Sequence, residues 1–190
     1  FDLMWSELNR IIKHNGAIVL FGSEPFSSSL RISNIKNYKY DWVWQKSHGS
    51  FATAKIQPLK RHENISVFGK GTILYNRQMT DSDSKRDRRT EGFRKNKTNN
   101  FIADTTKINS LKYSENYDPT KVNPKSVLSF SSQRGLHPTQ KPVELMEYLI
   151  KTYTNENETV LDFTMGSGST GVACVNTNRN FIGIEQDDKY

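Results

Sequence analysis

Apolar positions recur along the 190-residue chain in two rhythms, one helical and one of short continuous runs. Residues 2–14, "DLMWSELNRIIKH", place Leu3, Met4, Leu8, Ile11 and Ile12 on one helix face. Asn15-Gly16 stops that helix. "AIVLF" (17–21) is a short unbroken apolar run, the pattern of a buried parallel strand. A second helix is predicted over 23–37, with Ser23 as cap and Pro25 in its first turn. "YKYDWVWQK" (38–46) and "ENISVFG" (63–69) read as strands, joined by a polar, basic loop over 51–62. Further on, Pro142 opens a helix within 137–154 whose apolar residues are Val143, Leu145, Met146, Leu149 and Ile150. A strand "TVLDF" (159–163), a helix beginning "GSTGVACVNT" and a strand "NFIGIE" (180–185) form a β-α-β unit. This alternation predicts an α/β layered fold, a mostly parallel sheet with helices on both faces.

Between Asn76 and Lys125 both rhythms fail, which divides the chain into 1–75, an insertion at 76–125, and 126–190. The insertion holds twelve Lys/Arg against seven Asp/Glu, with Phe93, Phe101, Tyr113 and Tyr117 interspersed. The plainer interpretation is a solvated insertion. The functional one is a DNA-contacting segment, with cations for phosphates and aromatics for packing or base contact. Lys85, Arg86, Arg88, Arg89, Arg94 and Lys95 are the candidate contacts there. Lys46, Lys60 and Arg61 are further candidates for phosphate, weighed against ordinary surface cations.

Charge sharpens this picture: the formal net charge is +7 at pH 7, which favours a polyanionic partner, nucleic acid first. An aromatic content of 11% argues against a chain without a core. The single cysteine, Cys174, excludes an internal disulfide and suits a reducing, cytoplasmic setting. Its small-residue surroundings suggest a buried helix position rather than a nucleophile. His14, His48, His62 and His137 are scattered, so no zinc spacing is visible and no metal is expected. No membrane span or signal peptide is visible either.

The candidate chemistry lies in "TVLDFTMGSGSTGVA" (159–173), where "GSGSTG" matches the G-x-G-x-x-G pattern. A phosphate-binding P-loop is excluded, because Gly171 is followed by Val172 and not by lysine. A dinucleotide site is better supported: a strand precedes the glycines, and Glu185 stands where a ribose-binding acid is expected. Asp162 speaks against it, since a carboxylate at the turn raises the cost of seating a pyrophosphate. S-adenosylmethionine carries an ammonium and a sulfonium instead. Asp162 would face its amino-acid end, Gly166, Ser167 and Gly168 would permit close approach, and Glu185 would accept ribose hydroxyls. The following helix N-terminus would receive the carboxylate. Charge favours the cationic cofactor. Phe21, Gly22 and Ser23 end a strand where such folds bind ligands, and Phe21 is a candidate contact.

"HPTQKPVEL", "VLDFTMGSGSTGVA" and "FIGIEQDDKY" together resemble the amino-methylating DNA methyltransferases of the permuted β class. "GAIVLFGS", "YDWVWQKS" and "RHENISVFGKG" resemble, more weakly, the family segments between catalytic motif and recognition region. The family's "DPFMGSGTT" falls on Asp162, Phe163, Thr164, Met165, Gly166, Ser167, Gly168, Ser169 and Thr170, with Phe163-Thr164 replacing Pro-Phe and Ser169 replacing Thr. His137, Thr139 and Lys141 occupy its "HPTxKP" positions, near the cofactor's amino-acid end. The resemblance implies a circularly permuted, Rossmann-like, three-layer fold and S-adenosylmethionine as cofactor. It also implies methyl transfer to the N6 of adenine or the N4 of cytosine, in double-stranded DNA with the base flipped out.

The family's catalytic Asp/Asn/Ser-Pro-Pro-aromatic tetrapeptide has no counterpart, because no two of the six prolines are adjacent. The permuted order puts it N-terminal to the first helix. Residues 1–190 alone are therefore expected to be inactive and poorly stable, with no catalytic residue of their own and the central catalytic strand absent. The competing functions are an NAD-dependent oxidoreductase, a non-catalytic DNA-binding remnant, and a methyltransferase acting on RNA or a small molecule.

Overall fold

The computed structural model describes residues 1–49, 51, 54–81, 120–133, 135 and 139–188. The backbone packs as two units, Phe1–Gln78 with Lys125–Tyr190, and Met79–Pro124. In the smaller unit, β4 (Thr80–Asp81) pairs antiparallel with β5 (Lys121–Val122), with Lys121 bonded to Asp81 across the pair.

The larger unit opens with α1 (Asp2–Ile11), which ends earlier than its periodicity predicts because Ile12 is already extended, at φ −67° and ψ 137°. Its buried face is also rotated. Trp5 and Leu8 are buried, while Leu3 is 78% exposed and Ile11 47%. The Trp5 indole sets the rotation: it donates to Ser33 Oγ at 2.8 Å and lies 4.8 Å from the Phe68 ring. A large ring with a polar edge outweighs two aliphatic side chains in choosing the inward face.

β1 (Ile18–Gly22) leads to α2 (Phe26–Ser33), shorter than the predicted 23–37. Ser23 does not cap it with its side chain. Glu24 does: its Oε2 accepts from the Ser28 N–H at 3.1 Å and the Ser28 hydroxyl at 2.5 Å. The Ser28 hydroxyl is the main reason the Glu24 carboxyl sits below its ordinary range; desolvation opposes the shift, and the Ser28 N–H, Arg31 and Lys60 add to it. The Glu24–Pro25 peptide bond is cis.

β2 (Tyr38–Gln45), β3 (His62–Phe68) and β6 (Val127–Ser129) complete a four-stranded sheet in the order β1-β3-β2-β6. Here the expected parallel arrangement is corrected: β3 runs antiparallel to both neighbours, and only β2–β6 is parallel. Among the described residues of the β2–β3 connection no crossover helix intervenes, and a direct return opposes the two strands. β7 (Thr159–Asp162) and β8 (Asn180–Gly183) form a separate parallel pair. They are joined through α4 (Ser169–Asn176), as the β-α-β pattern predicts. The last helix to be placed, α3 (Val143–Tyr153), is preceded by Pro142 as its N-cap.

Three layers result. Ile18, Leu20 and Phe68 point from the sheet toward Trp5, Leu8 and Leu30 of α1 and α2. Val19, Ile65, Val67, Trp42, Trp44 and Leu128 point the other way, toward Leu145, Leu149 and Tyr153 of α3. The alternation along β1 and β3 is the two-residue period of a strand covered on both faces. Within the second face, Trp42 Nε1 donates to the Tyr153 hydroxyl at 2.6 Å, which donates to the Tyr40 hydroxyl at 3.1 Å. Burial is the chief cause that pushes the Tyr153 phenol far upward. A smaller cluster of Ile150, Ala173 and Cys174 seals α3 against α4. Cys174 is buried as its context predicts, and desolvation raises its thiol to about 11, which leaves it unreactive at neutral pH. Among the described residues no helix is long and apolar enough to cross a membrane.

Candidate cofactor cleft

The chain leaves β7 at Asp162 and turns through Phe163–Gly168 before α4 begins. Gly168 caps that helix at φ 75°, a left-handed conformation that costs a side-chain-bearing residue about 1 kcal/mol or more. Gly171 serves packing instead: a Cβ there would meet the Phe181 ring at 2.9 Å. The Gly171→Ala chain is therefore expected to lose about 1–3 kcal/mol of stability by thermal denaturation, and Phe181→Leu in the same chain should restore part of it.

Two carboxylates hold the turn. Asp162 Oδ1 accepts from the Thr164 N–H at 3.1 Å, and Oδ2 accepts from Thr170 Oγ1 at 2.5 Å. Glu185 Oε2 accepts from the Gly166 N–H at 2.7 Å, while its Oε1 accepts from the N–H groups of Gln186 and Asp187. The acids that sequence spacing singled out thus also brace the turn, joining β7, α4 and the end of β8. Each Asp162 oxygen takes one hydrogen bond from the protein in this arrangement and has acceptor capacity beyond it.

These residues line a cavity of about 1130 Å³ that runs down between β1 and β7. Phe21, Thr139, Lys141, Asp162, Phe163, Thr164, Met165, Gly166, Ser167, Ser169, Thr170 and Glu185 all reach it; Gly168 does not. Below the turn the walls are apolar, built from Met4, Leu8 and Ile12 of α1's side and Met146, Leu149 and Ile150 of α3. Among the described residues β1 pairs only with β3, and β7 only with β8. Each therefore has an unpaired edge, which explains why Val19, Leu20 and Phe21 are half-buried where their sequence predicts full burial. At the foot of the cavity Lys13 Nζ meets Glu158 Oε1 at 3.1 Å. The Asn155 N–H, ahead of Lys13, holds the Glu158 carboxyl below its ordinary range.

One residue that sequence reasoning missed organises the rim. Glu63, on β3 and only 12% exposed, takes Lys46 at 2.7 Å on one oxygen and Lys141 at 3.3 Å on the other. Lys141 also donates to the Thr139 carbonyl and lies 5.2 Å from the Phe21 ring centre. Lys46 stacks 4.8 Å over Trp44. Lys46, proposed from sequence as a phosphate contact, is paired here with Glu63, and its side chain remains 30% exposed. The acid next to the start of a strand that is buried from Asn64 onward, in "RHENISVF", was the available signal. His137 and the cluster Lys85, Arg86, Arg88, Arg89, Arg94 and Lys95 lie outside the described residues.

A glycine turn at a strand's C-terminal end, two acids beside it and a three-layer α/β body place the chain in the Rossmann-like class of α/β folds. A family model described as DNA methylase, covering the N6 and N4 methyltransferases, matches residues 2–190, and the chain belongs to that family. Over its full length it is 28% identical to the type II methyltransferase M.HpaI of Haemophilus parainfluenzae, of which it covers 56%. It is 45% identical over 65 residues to the type II methyltransferase M2.MboI of Moraxella bovis, spanning 34% of this chain and 24% of that one. The crystal structure of M1.HpyAVI in complex with SAM superposes with a TM-score of 0.65 and 26% identity, covering 100% of this chain and 78% of that one. The cytosine-N4-specific PvuII methyltransferase shares the fold, with a TM-score of 0.63 at 16% identity over 98% of this chain and 66% of its own. The chain thus spans little more than half the length of M.HpaI.

Proposed function

We propose that the cleft binds S-adenosylmethionine and that the protein methylates the exocyclic amino group of adenine (N6) or cytosine (N4) at specific sites in duplex DNA. The observation that carries the cofactor is the charge at the turn. Among the described residues the ionisable groups at the turn are Asp162 and Glu185, and the cations that line the cavity, Lys141 and Lys13, are paired with Glu63 and Glu158. A doubly anionic pyrophosphate would meet two carboxylates there without a partner. A ligand with an ammonium and a sulfonium would meet two acceptors. The residues present fit that group.

In this assignment Asp162 holds the amino-acid end, together with Thr139 and Lys141. Phe163, Thr164, Met165, Ser167, Ser169 and Thr170 shape the turn around it, and Glu185 faces the ribose. When bound, the sulfonium supplies an activated methyl group. The chain's contribution is alignment and exclusion of water, with Phe21 walling the apolar side. The acceptors for the amino hydrogens have no Pro-Pro-aromatic candidate within residues 1–190. We accordingly assign cofactor binding and DNA contact to this chain and methyl transfer to the whole protein. The segment 76–125 is the proposed target-recognition insertion between two methyltransferase halves, 1–75 and 126–190. M.HpaI and M2.MboI, as type II methyltransferases, support the DNA assignment.

Isothermal titration tests the cofactor directly. S-adenosylmethionine should bind and NADH should not. NADH binding with no response to S-adenosylmethionine would return the protein to the oxidoreductases.

A further inference from the structure

The connection between β2 and β3 is much longer than a hairpin needs, and its make-up is one-sided. From Lys46 to His62 it carries four Lys/Arg, two His and no Asp or Glu. Residues 54–62 are all exposed, and the loop raises apolar side chains into solvent: Phe51 is 74% exposed and Ile56 84%. An isolated exposed apolar residue needs no explanation, but two on one basic loop without a single acid are a surface waiting for a partner. The base of this loop is rigid. Lys46 N–H donates to the Arg61 carbonyl at 2.8 Å, Arg61 Nη2 donates to the Ser47 carbonyl at 2.7 Å, and a Cβ on Gly49 would press on Arg61 and Leu59.

Its position relative to the cleft is fixed by contacts. Lys46 pairs with Glu63, Glu63 with Lys141, and Lys141 lies over Phe21 on the cavity wall. The loop therefore springs from the ends of β2 and β3 beside the rim of the cleft, two ion pairs from Lys141 on its wall. The positive charge of Lys60 contributes, as the smallest cause, to holding down the carboxyl of Glu24 in the turn that follows β1. A strip of positive charge tipped with an aromatic and an aliphatic side chain matches double-helical DNA: cations for the phosphates, apolar groups for base edges or an opened base step.

We propose that the β2–β3 loop is a second DNA-contacting element, in which Lys55 and Lys60 engage backbone phosphates and Phe51 and Ile56 press against the bases beside the cofactor cleft. This rests on the assignment of duplex DNA as substrate and adds to it a surface distinct from the insertion at 76–125.

Binding of a fluorescein-labelled 20-base-pair duplex, titrated from about 50 to 200 mM salt, tests the cations. The double variant Lys55→Gln/Lys60→Gln should flatten the slope of log K against log salt by about 1.8, at roughly 0.9 for each phosphate no longer neutralised. For the tip, p-benzoylphenylalanine placed at position 51 should photocrosslink to the duplex. The same probe at Ile32, 74% exposed on α2, should not. Circular dichroism confirms that the variants are folded. An unchanged salt slope, or crosslinking at 51 to a second copy of the chain in place of DNA, overturns the proposal while leaving the substrate intact. A wild-type chain that binds no duplex removes both.

Discussion

Replacing Asp162 by asparagine is expected to weaken S-adenosylmethionine binding by about 10- to 100-fold. The substitution keeps a carbonyl oxygen for the Thr164 N–H or the Thr170 hydroxyl, so the turn retains one of its two braces. What it removes is the negative charge. A hydrogen bond to a charged group contributes about 1.5–3 kcal/mol, and each 1.4 kcal/mol is a factor of about ten in affinity. Titration with S-adenosylhomocysteine locates the effect, since that ligand keeps the ammonium and lacks the sulfonium. Equal losses for both ligands place Asp162 at the ammonium, the role proposed for it. A loss confined to S-adenosylmethionine moves it to the sulfonium. Undiminished affinity for both would remove Asp162 from the binding site and leave it a structural brace.

The second large effect concerns stability. Ile65 is fully buried at the middle of β3, paired with Phe21 on one side and Trp42 on the other. Ile65→Ala is expected to cost about 2–5 kcal/mol, because a strand held on both edges and covered by α3 cannot collapse into the space. For a chain of this size that corresponds to a fall in Tm of roughly 4–20 °C. The comparison variant is Val127→Ala, on β6 and 50% exposed, which should change Tm little. If the two variants melted alike, β3 would not be the keystone of this sheet.

Why some of this was legible in the sequence and some not follows from the range of each interaction. The strand, turn and helix from Thr159 to Asn176 are set by neighbours in the chain: an apolar run, a glycine with φ 75°, and a helix start. Their positions, and the acids Asp162 and Glu185 at the strand ends, could be read directly. Strand direction could not, because an apolar run looks the same whichever way its partner runs. β3 reverses because a loop rather than a helix leads into it, and that bears on direction only once β2 is known to be its neighbour. The rotation of α1 was hidden for a similar reason. Leu3 and Ile11 fit the helical period as well as Trp5 does, and the choice is made by Ser33 and Phe68, far along the chain. Glu63 is the clearest case: its two lysines are 17 and 78 positions away, and no local pattern foretells them.

The bare edges of β1 and β7 have a consequence outside chemistry. Among the described residues β1 pairs only with β3 and β7 only with β8, and the edges left over border a cavity walled largely by apolar side chains, the setting in which an extended segment can add itself to a sheet.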